Sequence, residues 1–341
     1  MEVAVKHTLE SIAALAGVSR GTVSRVINNQ PSVKPEVRQK VLAIIAEKGY
    51  TPHPQARSLA GGKTGNIGVI VFGAKLDFLT HHIFYEVLQG IQLITAMNSY
   101  DLLLFSNRSD YDHEYWKKIA ISRKIDGLII MGENIREEYL QFYRDQGIPF
   151  VLIGKRIYDG LPLACVTSDY RQGTYDATKY LIGQGKRSIV YIQGLIGTPH
   201  EEERYAGYRQ ALHDAGIAFR LELVAVGKAE QEEARKQMDR LIAEGLAFDA
   251  VFAANDLMAL GAIESLTMHN YRVPQDIAVI GYDDIQAAAF MNPPLTTVRQ
   301  HKQKLGQHAV ELLLDMLRGE LDWHASKDVV IESDLIIRGT A

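Results

Sequence analysis

Residues 8–29, TLESIAALAGVSRGTVSRVINN, constrain this chain more than any other stretch. Their pattern predicts two short helices joined by a tight Gly-Val-Ser turn. Thr8 is placed to cap the first helix, and Ile12, Ala13 and Ala16 give it a narrow apolar stripe. Gly17 supplies the break, and Ser19 then caps a second helix on which Val23, Val26 and Ile27 share one face. The opposite face carries Arg20, Thr22, Ser24 and Arg25, side chains that reach phosphates and base edges. A helix, a glycine turn and a second helix with a polar outer face form the geometry that enters a DNA major groove. The same residues satisfy G-x-S-x-G over Gly17-Val18-Ser19-Arg20-Gly21, but a hydrolase nucleophile at that turn needs a strand before it and a sheet behind it. A helical Ala13–Ala16, so close to the N-terminus, leaves room for neither. Gly62-Lys63-Thr64 is no phosphate loop either, because Arg57 stands where its first glycine belongs.

The charge distribution agrees with a nucleic-acid-binding head. Residues 1–64 hold nine Lys or Arg against four Asp or Glu, whereas the remainder holds 28 against 37. A basic head on an acidic body puts the nucleic-acid contact at the N-terminus. At 341 residues the chain exceeds one ordinary core and suits a small domain plus a larger two-lobed one. The single cysteine, Cys165, excludes an intrachain disulfide and suits a reducing compartment. No signal-peptide profile opens the chain and no apolar run reaches bilayer length, so a cytoplasmic protein with no membrane partner is expected.

A third helix is predicted from Pro35 to Lys48, with Pro35 in its first turn and Gly49 as its stop; Val37, Val41, Ile44 and Ile45 would close a three-helix core. Pro52-His53-Pro54-Gln55-Ala56-Arg57-Ser58-Leu59 is punctuated like a linker with one helical turn, too short to stay helical alone. It is expected to fold only on DNA.

With these residues in place, the order TLESIAALAGVSRGTVSRVINN, then VKPEVRQKVLAIIAEKGYTPHPQARSLAGGKTGNIGVIV, resembles the start of the lactose/galactose-repressor family of transcriptional regulators. The similarity continues almost to the last residue. It implies that the second helix reads the major groove, with Arg20 and Gly21 as the specificity pair. Ser19, Thr22 and Ser24 would contact the DNA backbone and Arg25 a base, with Thr8, Asn28 and Arg57 completing the set. It also implies that Leu59 wedges into the minor groove from a hinge helix, one from each subunit of a dimer. Three departures stand out: His53-Pro54 replaces the family's usual Asn-Ala, Lys34 occupies a position where a capping Ser or Thr is common, and Gly21 offers no side chain.

From Asn66 onward, short apolar runs alternate with amphipathic helical patterns. Strands are predicted at Ile67–Phe72, Asp101–Phe105, Gly127–Met131, Phe150–Ile153, Ile189–Ile192, Leu223–Val226, Ala250–Ala253 and Ile277–Ile280, which implies parallel sheets covered on both faces. Asp126-Gly-Leu-Ile-Ile echoes Asp249-Ala-Val-Phe-Ala, pointing to two similar α/β lobes with a ligand between their C-terminal strand ends. The expected fold is therefore a small all-α helix-turn-helix head plus an α/β body of two doubly wound parallel-sheet lobes, which the resemblance makes periplasmic-binding-protein-like. The expected boundaries are residues 1–51 for the head, 52–65 for the hinge helix and linker, and 66–341 for the effector-binding and dimerisation body. Within the body, lobe 1 would take about 66–163 and 296–322, and lobe 2 about 164–292 and 323–341. The resemblance adds three crossovers, placed near 163–168, 290–296 and 320–328.

Polar residues cluster after the strands. On spacing alone, Asp169, Asp256 and Asp284 serve equally well as helix caps or as ligand contacts. The resemblance selects Asp169, Arg204, Asn255 and Asp283 as effector ligands and leaves Asp256 and Asp284 as caps. In the first lobe, His81-His82 precedes Phe84 and would either bond the effector or cap the Ile83–Ala96 helix. Lys155 or Arg156 stands where an effector-facing cation belongs. Asp110-x-Asp112-His113-Glu114 reads as an acidic helix start and not a metal site.

These features describe an effector-controlled repressor that binds double-stranded, pseudo-palindromic operator DNA as a homodimer and takes a sugar or sugar phosphate in its cleft. No cofactor, metal or catalytic constellation is expected. The end of the chain soon after Arg338, without a heptad tail, points to a dimer and not a tetramer. A purine-type co-repressed regulator and a catabolite-control-like regulator are the alternatives within the family. Outside it stands a sugar-binding transport or sensory protein, which would lack the basic head. Leu59→Ala is expected to weaken specific operator binding while sparing the fold; unchanged specific affinity in a gel-shift titration would remove the wedge.

Overall fold

The computed structural model describes residues 7–27, 30–50, 63–72, 82–106, 114–132 and 135–341. Its head is three helices: α1 (Leu9–Ala16), α2 (Arg20–Ile27) and α3 (Pro35–Glu47). A reciprocal cap starts α1, since the Thr8 hydroxyl accepts from the Ser11 amide at 3.2 Å and the Ser11 hydroxyl accepts from the Thr8 amide at 2.8 Å. Gly17 ends the helix at φ 67°, a left-handed conformation that strains any residue with a Cβ, and so turns the chain sharply into α2. The Ser19 hydroxyl accepts from the Thr22 amide at 3.1 Å and opens α2. Ile12, Ala16, Val23, Val26 and Val41 are buried where the three helices meet, with Val37, Ile44 and Ile45 packed partly against them. Lys34 makes no side-chain cap, and Pro35 in the first turn starts α3 without one.

The body runs β1 (Asn66–Phe72), α4 (His82–Met97), β2 (Asp101–Ser106), α5 (Tyr115–Ile121), β3 (Gly127–Gly132), α6 (Glu137–Asp145), β4 (Phe150–Ile153) and β5 (Ala164–Ser168). Next come α7 (Tyr170–Gly183), β6 (Ile189–Gln193), α8 (Pro199–Asp214), β7 (Val224–Val226), α9 (Gln231–Ala243), β8 (Ala250–Ala253), α10 (Asp256–Met268), β9 (Ala278–Asp283), α11 (Gln286–Phe290) and β10 (Thr296–Gln300). The chain closes with α12 (Lys302–Arg318), β11 (Lys327–Ile331) and β12 (Ser333–Ile336). Two six-stranded sheets result, ordered β11-β5-β4-β3-β1-β2 and β12-β10-β9-β8-β6-β7. Every neighbouring pair is parallel except β10 with β12. Helices cover both faces of each sheet, which is why the central strands are apolar throughout and almost wholly buried.

Three strands move the lobe boundaries. β5 and β11 pair with each other in the first sheet, and β10 pairs with β9 in the second. Lobe 1 therefore extends through Ser168 and regains residues 327–331, while lobe 2 keeps residues 296–300. The crossovers lie at Ser168–Tyr170, Gln300–Lys302 and Ile331–Ser333, displaced from 163–168, 290–296 and 320–328. The reason is physical: Thr296–Gln300 has little apolar content and Lys327–Ile331 is a half-exposed edge, so neither reads as a buried strand until a neighbour sets its register. In the same way, Leu223 belongs to a 3-10 turn, Leu221–Leu223, and the strand begins one residue later.

Two bonds stitch the crossovers together. Ser168 Oγ donates to Gln300 Oε1 at 2.8 Å, and the Asp169 amide donates to the Ile331 carbonyl at 2.8 Å. In lobe 2, α7 and α8 approach closely at Gly207, where an added Cβ would lie 2.2 Å from the Arg171 carbonyl oxygen. Gly207→Ala is expected to destabilise the body by about 1–3 kcal/mol in urea denaturation by forcing the helices apart; an unchanged midpoint would mean that they separate freely.

Candidate functional site

Two surfaces concentrate the chemistry. On the head, α2 presents exposed Arg20, Gly21 and Arg25, with Thr22 and Ser24 half-buried beside them. Arg25 Nε donates to the Gly21 carbonyl at 3.2 Å, and the Ser19 and Thr22 hydroxyls share a bond of 2.9 Å. Arg20 pairs with Glu10 at 3.1 Å, but both side chains are largely in solvent, so the pair is weak and a phosphate or base edge can replace it. A Cβ at Gly21 would meet nothing nearer than 3.8 Å, so the head's own packing does not require glycine there. Asn28, Arg57 and Leu59 lie outside the described residues, as does the hinge segment 51–62.

The second surface is a cavity of about 340 Å³ between the lobes, at the C-terminal ends of the strands. Phe72, Met131, Gly132, Ile153, Gly154 and Arg156 come from the ends of β1, β3 and β4; Ile83, Phe84 and Val87 come from α4; Leu305 comes from α12. Lobe 2 contributes Tyr170, Leu195, His200, Arg204 and Gln300. Strand ends converge here because all strands but the edge strand β12 run parallel within their sheets, so the βα connections of each sheet open on the same side.

Arg204 organises the lobe 2 wall. Its guanidinium lies between the rings of Tyr170 and Tyr282, at 4.7 and 4.4 Å from their centroids, with Asp283 and Glu201 each at 3.8 Å. It is 6% exposed, and its Nε has no hydrogen-bond partner. Burial opposes its charge, yet Asp283, the two tyrosines and Glu201 together hold its pKa above the ordinary arginine value. Glu201 Oε1 accepts from the Tyr191 hydroxyl at 2.7 Å, and burial pushes this carboxyl up. Asp283 Oδ1 accepts from Gln300 Nε2 at 2.6 Å, which links the wall to the crossover at Ser168. Asp283 and Asp284 both sit at positive φ, 112° and 49°, a strained run at the mouth of β9. His200, one turn before Arg204 on α8, has its pKa driven down to about 3 by burial and then by the positive charges of Arg204 and Arg156.

The structure thus brings Arg204 and Phe84 to the cavity and sets Asp283 directly behind Arg204. Other expected contacts have different roles. Asp169 caps α7, accepting from the Gln172 amide at 3.0 Å, and Asn255 caps α10, accepting from the Met258 amide at 2.7 Å; neither lines the cavity. Lys155 pairs with Asp328 at 3.5 Å and points away, leaving its neighbour Arg156 at the wall. The His82 side chain is outside the described residues. The expected caps also move. Asp256 is fully buried under bonds from Thr297 Oγ1 at 2.5 Å and the Ile285 amide at 2.8 Å, its pKa raised to about 8 by burial and then by Asp283. Asp284 binds Arg299 and Arg338 at 2.7 and 2.6 Å.

Sequence reasoning missed Tyr170, His200 and Gln300. The i, i+4 spacing of His200 and Arg204 on one helix was a usable signal; Gln300 had none, because its strand was not recognised. Cys165 is buried and its thiol is pushed up to about 11, which leaves it a poor nucleophile. Among the described residues, no group of three His, Cys, Asp or Glu could hold a metal, and no helix is long and apolar enough to cross a membrane.

Comparisons with known proteins bear on both surfaces. Residues 8–53 match the family described as bacterial regulatory proteins, lacI family, and residues 178–341 match a periplasmic binding protein-like domain. The regulator CelR of Thermobifida fusca is 33% identical over 341 residues, covering 99% of each chain. The repressor PurR of Vibrio campbellii is 33% identical over 340 residues, covering 98% of each. Among solved structures, a CelR–cellobiose complex superposes with a TM-score of 0.73 at 31% identity, over 98% of this chain and 100% of that one. A lac repressor dimer bound to operator and an anti-inducer superposes with a TM-score of 0.79 at 26% identity, over 98% of each.

Because His200 is held neutral when folded and titrates near 6.5 when unfolded, the unfolded chain binds the extra proton between those values. Its contribution to stability is therefore lost as the pH falls from 6.5 towards 3. His200→Gln is expected to flatten this acid limb in denaturation curves across the range; an identical slope would place His200 in solvent.

Proposed function

Because the chain belongs to the lacI family of bacterial regulatory proteins, we propose that it is a transcriptional repressor whose operator affinity is set by a carbohydrate in the interlobe cavity. The observation that carries the effector half of this reading is Arg204, a buried guanidinium whose Nε has no hydrogen-bond partner, held between two tyrosines on the wall of the interlobe cleft. A fixed donor fork beside aromatic faces recognises a small polar ring. The relative CelR has been solved with cellobiose, which favours a carbohydrate. Similarity to PurR keeps a purine as the second reading.

For the head, the reading places α2 of each subunit of a homodimer in successive major grooves of a pseudo-palindromic site, with Arg20, Gly21 and Arg25 towards base edges and Ser19, Thr22 and Ser24 towards phosphates. Gly21 supports this arrangement: an exposed helix position that packing leaves free gains about 1 kcal/mol from Ala, so a glycine there suits the close approach of a partner surface. Effector binding acts by favouring one arrangement of the lobes over another, since a ligand shifts an equilibrium only by its differential affinity for the two states.

The test is a titration of the purified protein on DNA from upstream of its own gene, with and without sugars, sugar phosphates and purines. A sugar that lowers affinity supports an inducible carbohydrate repressor, a purine that raises it supports co-repression, and no specific binding under any condition overturns the reading. In the same assay Arg25→Ala is expected to cost about 1–3 kcal/mol on the operator. An equal loss on random DNA would make Arg25 a phosphate contact.

A further inference from the structure

Hydroxyl groups of a neutral sugar need acceptors as well as donors, because a buried hydroxyl left without an acceptor costs its desolvation. The charged side chains lining the cleft, Arg156 and Arg204, are donors only. No carboxylate lines the cavity among the described residues. Asp283 and Glu201 stand behind Arg204, accepting from Gln300 Nε2 and from the Tyr191 hydroxyl, and the second Glu201 oxygen is buried without a hydrogen-bond partner. Gln300 is engaged at both ends, its Nε2 on Asp283 and its Oε1 on Ser168. Meanwhile Arg204 keeps a buried Nε with nothing to donate to.

Arg156 completes the pattern from the opposite lobe. Its Nη1 donates to the Lys155 carbonyl at 2.7 Å and its Nη2 to the Gly132 carbonyl at 2.6 Å. Neutral carbonyls fix the guanidinium at the wall without balancing its charge. Arg204 has Asp283 and Glu201 as counter-ions; Arg156 has no ion pair among the described residues. Burial first, and then both guanidiniums, keep the His200 ring uncharged, with Asp283 opposing them. The cavity is therefore lined by two guanidiniums, one on each lobe, and the lobe 1 guanidinium has no carboxylate to balance it among the described residues.

We propose that the effector is an anionic carbohydrate whose phosphate or carboxylate group is held between Arg156 of lobe 1 and Arg204 of lobe 2. The inference rests on the reading of the cleft as the effector site. Guanidinium forks match either group in two-point geometry, and bonds to an ionised acceptor are about twice as strong as neutral ones. A group that touches both lobes binds the closed cleft better than an open one, which supplies the differential affinity that control of the operator requires.

The experiment is calorimetric titration of the full-length protein with hexoses, the matching hexose phosphates, the matching hexuronates, inorganic phosphate and a purine base. At least one charged sugar is expected to bind about tenfold or more tightly than its neutral parent, with inorganic phosphate competing and added salt weakening the charged ligand selectively. Whether the phosphate or the uronate carries the effect identifies the group. Arg156→Gln should shrink the charged-to-neutral ratio towards one, and Arg156→Lys should restore part of it, with thermal melts confirming that both variants fold. A neutral hexose that binds as tightly as its charged derivatives overturns the anion assignment and leaves the carbohydrate reading standing. So does a charged-to-neutral ratio unmoved by Arg156→Gln. Binding of the purine alone overturns both, and failure of every anionic probe, inorganic phosphate included, overturns the anion assignment.

Discussion

The body hangs on a buried chain of polar contacts running from Ser168 through Gln300 and Asp283 to Arg204. Its two ends belong to different jobs: Ser168 is the last residue of a lobe 1 strand, where the chain crosses between lobes, and Arg204 is a wall of the cleft. In a low-dielectric interior each link must be satisfied by its neighbour, so moving one member disturbs the next. Arg204 is thereby connected through three side chains to the place where the chain crosses between the lobes. The Asp169 amide on the Ile331 carbonyl ties the third crossover to the first, so all three crossovers are linked by hydrogen bonds.

That arrangement has a conformational cost, localised at Asp283 and Asp284. Two consecutive non-glycine residues at positive φ are held there by Gln300 on the first and by Arg299 and Arg338 on the second. Strain of this kind persists where surrounding bonds over-determine it. Here it turns the Asp283 carboxylate towards Arg204 while Asp284 faces the hinge, so adjacent acids serve different elements. Asp256 is fully buried beneath them, and burial together with the neighbouring Asp283 raises its pKa to about 8, which favours the uncharged carboxyl in this corner.

The head obeys simpler physics. Among the described residues seven buried side chains close its core, and its turn geometry follows from one cap, one glycine and one serine, all local in sequence. A small core of this kind leaves the outer face of α2 free of structural duty. Arg20 pairs with the exposed Glu10 and Arg25 bonds within the helix, and exposed contacts of this kind are weak enough to exchange for DNA.

The residues show how far local pattern reaches. Capping at Thr8, the break at Gly17, the buried central strands and the two-lobed parallel architecture depend on neighbours a few positions away or on runs of apolar residues, and all were legible in the chain itself. So was Arg204, through resemblance. The ends of the lobes were not, because β10 and β11 become strands only when β9 and β5 supply their hydrogen bonds. The division of labour among strand-end polar residues was equally hidden. Asp169 and Asn255 cap helices, Asp256 sits in the interior, and Arg156 rather than Lys155 faces the cavity, although neighbouring side chains of the same chemistry occupy each stretch. Periodicity along one strand determines which face a residue takes; which partner waits on that face is decided by segments more than a hundred residues away, as Gln300 is for Ser168. The helix-turn-helix head and the α/β lobes were therefore written in the sequence, whereas the cleft, its charge and its link to the hinge came into being only when distant strand ends met.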